Sequence, residues 1–68
     1  MKKIFVGKKI KKLRGQRTLR EFAALCDILP KTLLNIENNK VEPRLDTVFK
    51  IADGLNIEYG EILEILKP

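Results

Sequence analysis

The 68-residue chain has no histidine, no tryptophan and a single cysteine, Cys26. One cysteine cannot build a disulfide framework. Without histidine there is neither a Cys/His zinc site nor a catalytic triad with an imidazole base. No metal or cofactor is therefore expected. A single domain this small offers no second domain to sense a small-molecule ligand, so none is expected either. Apolar runs such as Ile4-Phe5-Val6 are short, far below the roughly 20 residues a membrane-spanning helix needs. Met1-Lys2-Lys3 looks like the start of a secretion signal, but no apolar core follows it. A reducing cytoplasm is the expected location.

What is present suits a folded domain. Hydrophobic residues form 44% of the chain and charged residues 34%, too apolar a balance for a disordered tail. The length allows one domain, residues 1–68. A chain this short buries only about 60% of its unfolded surface, which argues against a large enclosed active site. The charge is lopsided. Residues 1–20 carry nine Lys and Arg and no Asp or Glu, whereas the remainder carries five and nine. A one-sided basic region points first to a polyanion, either a nucleic acid or an acidic membrane surface. The plainer alternative is a solvated lysine face.

Apolar spacing is helical along the whole chain. Val6, Ile10 and Leu13 mark a first helix ending near Gly15, a residue suited to a left-handed C-terminal position. Leu19, Phe22, Ala23 and Cys26 mark a second, opened by the capping-box pattern of Thr18 to Glu21. Pro30 suits the first position of a third helix, whose inner side is Leu33, Ile36 and Glu37 and which Asn38-Asn39-Lys40 ends. Leu45, Val48, Ile51, Ala52 and Leu55 give a fourth, fading from Gly54 to Asn56. Tyr59, Ile62, Ile65 and Leu66 give a short fifth. No stretch alternates long enough for a strand. The fold class is all-α.

The second and third helices are joined by a tight turn, the arrangement of a helix-turn-helix unit. Ala23 leaves room for close approach and Ile28 can plug the corner. The face opposite Leu33 and Ile36 carries Lys31, Thr32 and Asn35. Polar side chains of this kind can read base edges in a major groove, and an asparagine amide can pair twice with adenine. Lys31 could instead hold a phosphate. Leu34 could touch a thymine methyl, a partner, or nothing. Thr18 is first a helix cap, at a helix start that also favours a phosphate. Lys40 and Arg44 flank the third helix and could hold the DNA backbone, as could Asn38 at its end.

Several segments together resemble one family. Thr18-Leu19-Arg20-Glu21-Phe22-Ala23, then Ile28, Leu33, Ile36-Glu37, Lys40 and Pro43, look like the Cro and phage-repressor (XRE) family. Gly7, Ile10 and Arg14 upstream, and Thr47 to Ile57 downstream, resemble its first and fourth helices. The resemblance covers roughly residues 6–63. It implies a five-helix bundle of the lambda-repressor-like type, usually a homodimer, that binds operator DNA and regulates transcription. It also implies an ion pair, Arg14 with Glu37, between the first and third helices. The chain departs from the pattern in places. Leu19 stands where many relatives carry a phosphate-contacting Gln, which moves that contact to Arg20. Leu29 stands where a Ser or Thr cap is usual, a loss of about 1 kcal/mol. Asn39 stands where Gly is usual.

Cys26 reads as a core residue and Glu58, Glu61 and Glu64 as an acidic solvent face, so no enzymatic role is expected. The leading expectation is a sequence-specific DNA-binding regulator of the repressor kind, whose partners are double-stranded DNA and a second copy of itself. Leu63 and Leu66 are candidates for the dimer surface or for plain core packing. The alternative is a protein-interaction module, such as an antitoxin or regulatory subunit, on the same fold. A third option lays the basic first helix on an anionic membrane.

Overall fold

Several helix ends fall where local chemistry directs. In the computed structural model, residues 6–67 are described; the expectations on Met1-Lys2-Lys3 and Ile4-Phe5 lie outside them. The described residues form five α-helices and no strand: α1 Gly7–Arg14, α2 Leu19–Leu25, α3 Pro30–Glu37, α4 Leu45–Leu55 and α5 Tyr59–Ile65. The last turn of α1 carries Lys11, Lys12 and Arg14, cations that suit the negative end of a helix dipole. Gly15 closes it at φ 64° and ψ −130°. This is a positive φ, as expected, but outside the left-handed helical well.

Three closures share one hydrogen-bond pattern. After α2, the Ile28 N–H donates to the Ala23 carbonyl (3.0 Å) and the Asp27 N–H to the Ala24 carbonyl (3.2 Å). After α3, the Lys40 N–H donates to Asn35 (2.9 Å) and the Asn39 N–H to Ile36 (3.1 Å). After α4, the Ile57 N–H donates to the Ala52 carbonyl (3.0 Å) and the Asn56 N–H to the Asp53 carbonyl (3.1 Å). These are Schellman closures, which satisfy carbonyls the helix leaves unpaired. They need one residue at positive φ, supplied by Asp27 (57°), Asn39 (59°) and Asn56 (57°). All three are Asp or Asn, the side chains that tolerate this backbone best after glycine.

The core is made of Val6, Ile10, Phe22, Ala23, Cys26, Leu33, Ile36, Val48, Ile51, Ala52, Ile62 and Leu66. Through it α2 packs on α3 and α4, α1 on α3, and α4 on α5. Two glycines permit this closeness. A Cβ on Gly7 would lie 2.3 Å from the Glu37 carbonyl oxygen and 2.6 Å from that of Ile36, so only glycine lets the start of α1 meet the end of α3. A Cβ on Gly54 would lie 2.7 Å from the Leu25 carbonyl oxygen. α4 ends at Leu55 with Asn56 as its cap, within the stretch where the sequence has it fade; Gly54 sits in its last turn and lets it touch α2.

Two apolar positions differ from the sequence expectation, and the alternatives left open for Leu63 and Leu66 divide between them. Leu45 and Tyr59 stay exposed rather than joining the inner stripes of α4 and α5. Each is the first residue of its helix, where the covering neighbour runs out. Tyr59 instead stacks flat on Phe49, with ring centroids 4.2 Å apart, and donates from its hydroxyl to Asp53 Oδ2 (3.0 Å). That hydrogen bond raises the Tyr59 phenol above its ordinary range. Leu66, considered for a dimer surface, is core, whereas Leu63 is exposed.

Candidate nucleic-acid interface

The stretch from Thr18 to Arg44 contains the residues of interest, and much of its local structure follows from sequence. At the head of α2 the Thr18 N–H donates to Glu21 Oε1 (2.8 Å) and the Glu21 N–H to Thr18 Oγ1 (3.1 Å). This reciprocal capping box fixes where α2 begins. The Thr18 backbone N–H, and then its hydroxyl, hold the Glu21 carboxyl below the usual carboxylate range. Arg20, on the first turn, is exposed.

The turn to α3 has two parts. The Asp27 closure stops α2, and Ile28 packs half-buried against the core. Leu29 then stands as N-cap of α3 at φ −72° and ψ 140°, the extended backbone that a following proline favours. Pro30 occupies the first helical position, where its missing N–H costs nothing. Leu29 has no side-chain acceptor, and no side-chain cap bond is made there.

α3 is fixed along one side and at its far end. Leu33 and Ile36 are fully buried, and Glu37 is buried beside them. Glu37 Oε2 accepts from Arg14 Nε (2.9 Å) and Oε1 from Arg14 Nη2 (3.1 Å), a bidentate pair. The Glu37 side chain is 3% exposed and that of Arg14 18%. Arg14 Nη1 also donates to the Arg17 carbonyl (3.0 Å), which ties the α1–α2 link into the same joint. A second tie lies one turn away. The Gly7 N–H, one of the unpaired donors at the head of α1, donates to Asn39 Oδ1 (3.0 Å). Asn39 thus does two things: its backbone closes α3 and its side chain caps α1. Sequence reasoning found only the first. The signal for the second was Gly7, whose small size marks a close approach.

The other side of α3 faces outward. Lys31, Leu34 and Asn38 are exposed, and Thr32 and Asn35 are half-buried. Asn35 and Thr32 are therefore less open than the expectation of a fully presented Lys31/Thr32/Asn35 side. Beyond α3, Lys40 and Arg44 are exposed. Arg44 Nε lies 3.8 Å from Asp46 Oδ1, both largely in solvent, a contact worth little. Glu37, the only acidic residue of α3, is turned inward, so no carboxylate lies on the outward side of that helix.

Other features do not suggest a reaction centre. Burial pushes the Cys26 thiol up to about 11, the opposite of an activated nucleophile. Among the described residues no group of three or more His, Cys, Asp and Glu could hold a metal ion. No helix among them is long and apolar enough to cross a membrane.

A helix-turn-helix family model matches residues 10–62. No curated protein and no solved structure matches the chain. The matched stretch runs from Ile10 in α1 to Ile62 in α5 and includes the whole of α2, its turn and α3. The chain therefore belongs to the XRE-type helix-turn-helix family of DNA-binding transcriptional regulators.

Proposed function

We propose that this protein is a sequence-specific repressor that occupies operator DNA as a homodimer, with α3 in the major groove. The observation that carries the reading is the two-sidedness of α3. One side is locked by Leu33, Ile36 and the Arg14–Glu37 pair; the other offers Lys31, Thr32, Asn35 and Asn38 with no carboxylate among them. A rigid helix with a polar, non-acidic face is what base reading requires, because hydrogen-bond geometry carries the discrimination. In this reading Asn35 pairs with adenine, and Lys31 and Thr32 contact the first bases reached. Thr18, Arg20, Lys40 and Arg44 hold phosphates on either side, and Asn38 closes the contact at the far end. Phosphate contacts supply affinity and set register.

The dimer contact in this reading is the shallow groove bounded by Val6, Glu42, Pro43, Val48, Leu63 and Leu66, about 190 Å³ in volume. Leu63, exposed at its rim, would be shared with a second copy. Symmetry then demands an operator of two half-sites about 34 Å apart. Selection of bound sequences from a random duplex pool tests the whole reading. It should return a palindrome with that spacing. A pool that gains no sequence preference would refute base reading, and a single unrepeated half-site would refute the symmetric dimer.

A further inference from the structure

We propose that Leu29 is a specificity residue that reads the 5-methyl group of thymine at the edge of the contact made by α3. The inference rests on the DNA-reading function proposed above. Its basis is a misfit between chemistry and position. Leu29 is 71% exposed, more than any other large apolar side chain among the described residues. It is also the N-cap of α3, where an oxygen would accept a bond from the helix's unpaired N–H groups and where none is accepted. The position therefore lacks a cap that Ser, Thr, Asp or Asn would provide, and it places a branched hydrocarbon in water.

Its surroundings favour DNA as the occupant. Leu29 immediately precedes Pro30 and the exposed Lys31, at the N-terminal end of α3, the end that enters the groove in helix-turn-helix docking. No carboxylate lies on the outward side of α3 to repel phosphate. The nearby carboxylate in sequence, Asp27, borders a different hollow with Leu25, Cys26, Lys50, Asp53 and Gly54, against α4. Leu25 lines that hollow, and Leu34, the other exposed leucine beside the polar readers, lies a turn further along α3 and is 44% exposed, which leaves Leu29 as the most open apolar group at the entering end of the helix. In a major groove the one apolar feature of the base edges is the thymine methyl. Its contact with a leucine needs no hydrogen bond and tolerates the N-cap's lack of an acceptor.

The test uses the site obtained by selection from the random pool. Each thymine of one half-site is replaced in turn by deoxyuridine, which removes only the methyl, and binding is measured for the wild-type chain and for Leu29→Ala. At one thymine per half-site the swap should weaken wild-type binding about fourfold, the worth of one buried methyl. Leu29→Ala, which removes the contact at both half-sites of the dimer, should bind the thymine site about sixteenfold more weakly, about fourfold for each half-site, and be indifferent to the swap, with an unchanged thermal midpoint. If the swap weakens both proteins equally, or no thymine matters, the inference is overturned. If Leu29→Ala binds the selected site as tightly as wild type, the inference is likewise overturned. A pool without any enriched sequence overturns the parent reading, a distinct failure that takes this inference with it.

Discussion

Replacing Arg14 by alanine should nearly unfold this protein. The Glu37 carboxylate is 3% exposed and both of its oxygens accept from one guanidinium, at 2.9 and 3.1 Å. Removing Arg14 leaves that carboxylate buried without its partner, which typically costs about 3–5 kcal/mol. It also removes the Nη1 bond to the Arg17 carbonyl. A 68-residue domain has a total stability of roughly 3–10 kcal/mol at the usual value per residue. The loss is therefore between a third and all of what holds the fold. Urea unfolding followed by circular dichroism at 222 nm measures it directly, and a companion removes ambiguity. Arg14→Met with Glu37→Met replaces the pair by apolar groups of similar length and should recover most of the loss, since no charge is stranded. A cost below about 1 kcal/mol for Arg14→Ala would mean that the pair behaves as a solvent-screened surface contact, and the account of how α3 is locked would be wrong.

Three other outcomes follow from local geometry. Gly7→Ala should cost about 1–3 kcal/mol by overpacking, because its Cβ would press on the Glu37 and Ile36 carbonyls; a neutral change in the thermal midpoint would contradict that close approach. Leu29→Ser supplies the missing cap at a residue already in the extended conformation and should raise stability by about 1 kcal/mol, or roughly 4–8 °C; an unchanged or lower midpoint would refute the capping argument. Cys26, buried and with its thiol raised to about 11, should react with a thiol reagent at pH 8 only as fast as the domain opens. Because its folded value lies above its ordinary one of 9.0, the neutral thiol's contribution is complete below about 9 and is lost as pH rises towards 11. Reaction at the rate of a free thiol would show that Cys26 is not enclosed.

Some features were legible in sequence because they depend on neighbours along the chain. The Thr18–Glu21 capping box, Pro30 at the head of α3 and the inward side of α3 at Leu33, Ile36 and Glu37 are of this kind. Periodicity tells which residues share a face of a helix. It does not tell how far the neighbouring helix covers that face, so Leu45 and Tyr59, at the first positions of α4 and α5, read as core and are exposed. The bond from Gly7 to Asn39 joins residues 32 positions apart and has no local signature. The reason for Gly54 is likewise non-local: the Leu25 carbonyl beside it leaves no room for a Cβ. At the outward face of α3 the sequence named residues by type, whereas the half-burial of Thr32 and Asn35 emerges only once the chain is folded.

The most direct measurement is the binding of wild type and Asn35→Ala to the selected operator and to random duplex across a range of salt. Wild-type affinity should fall with salt at a log–log slope of about −5 for a dimer touching about six phosphates. Asn35→Ala should lose about 1–3 kcal/mol on the operator and almost nothing on random DNA, with the slope unchanged. Equal weakening on both DNAs would contradict the claim that α3 reads bases through Asn35.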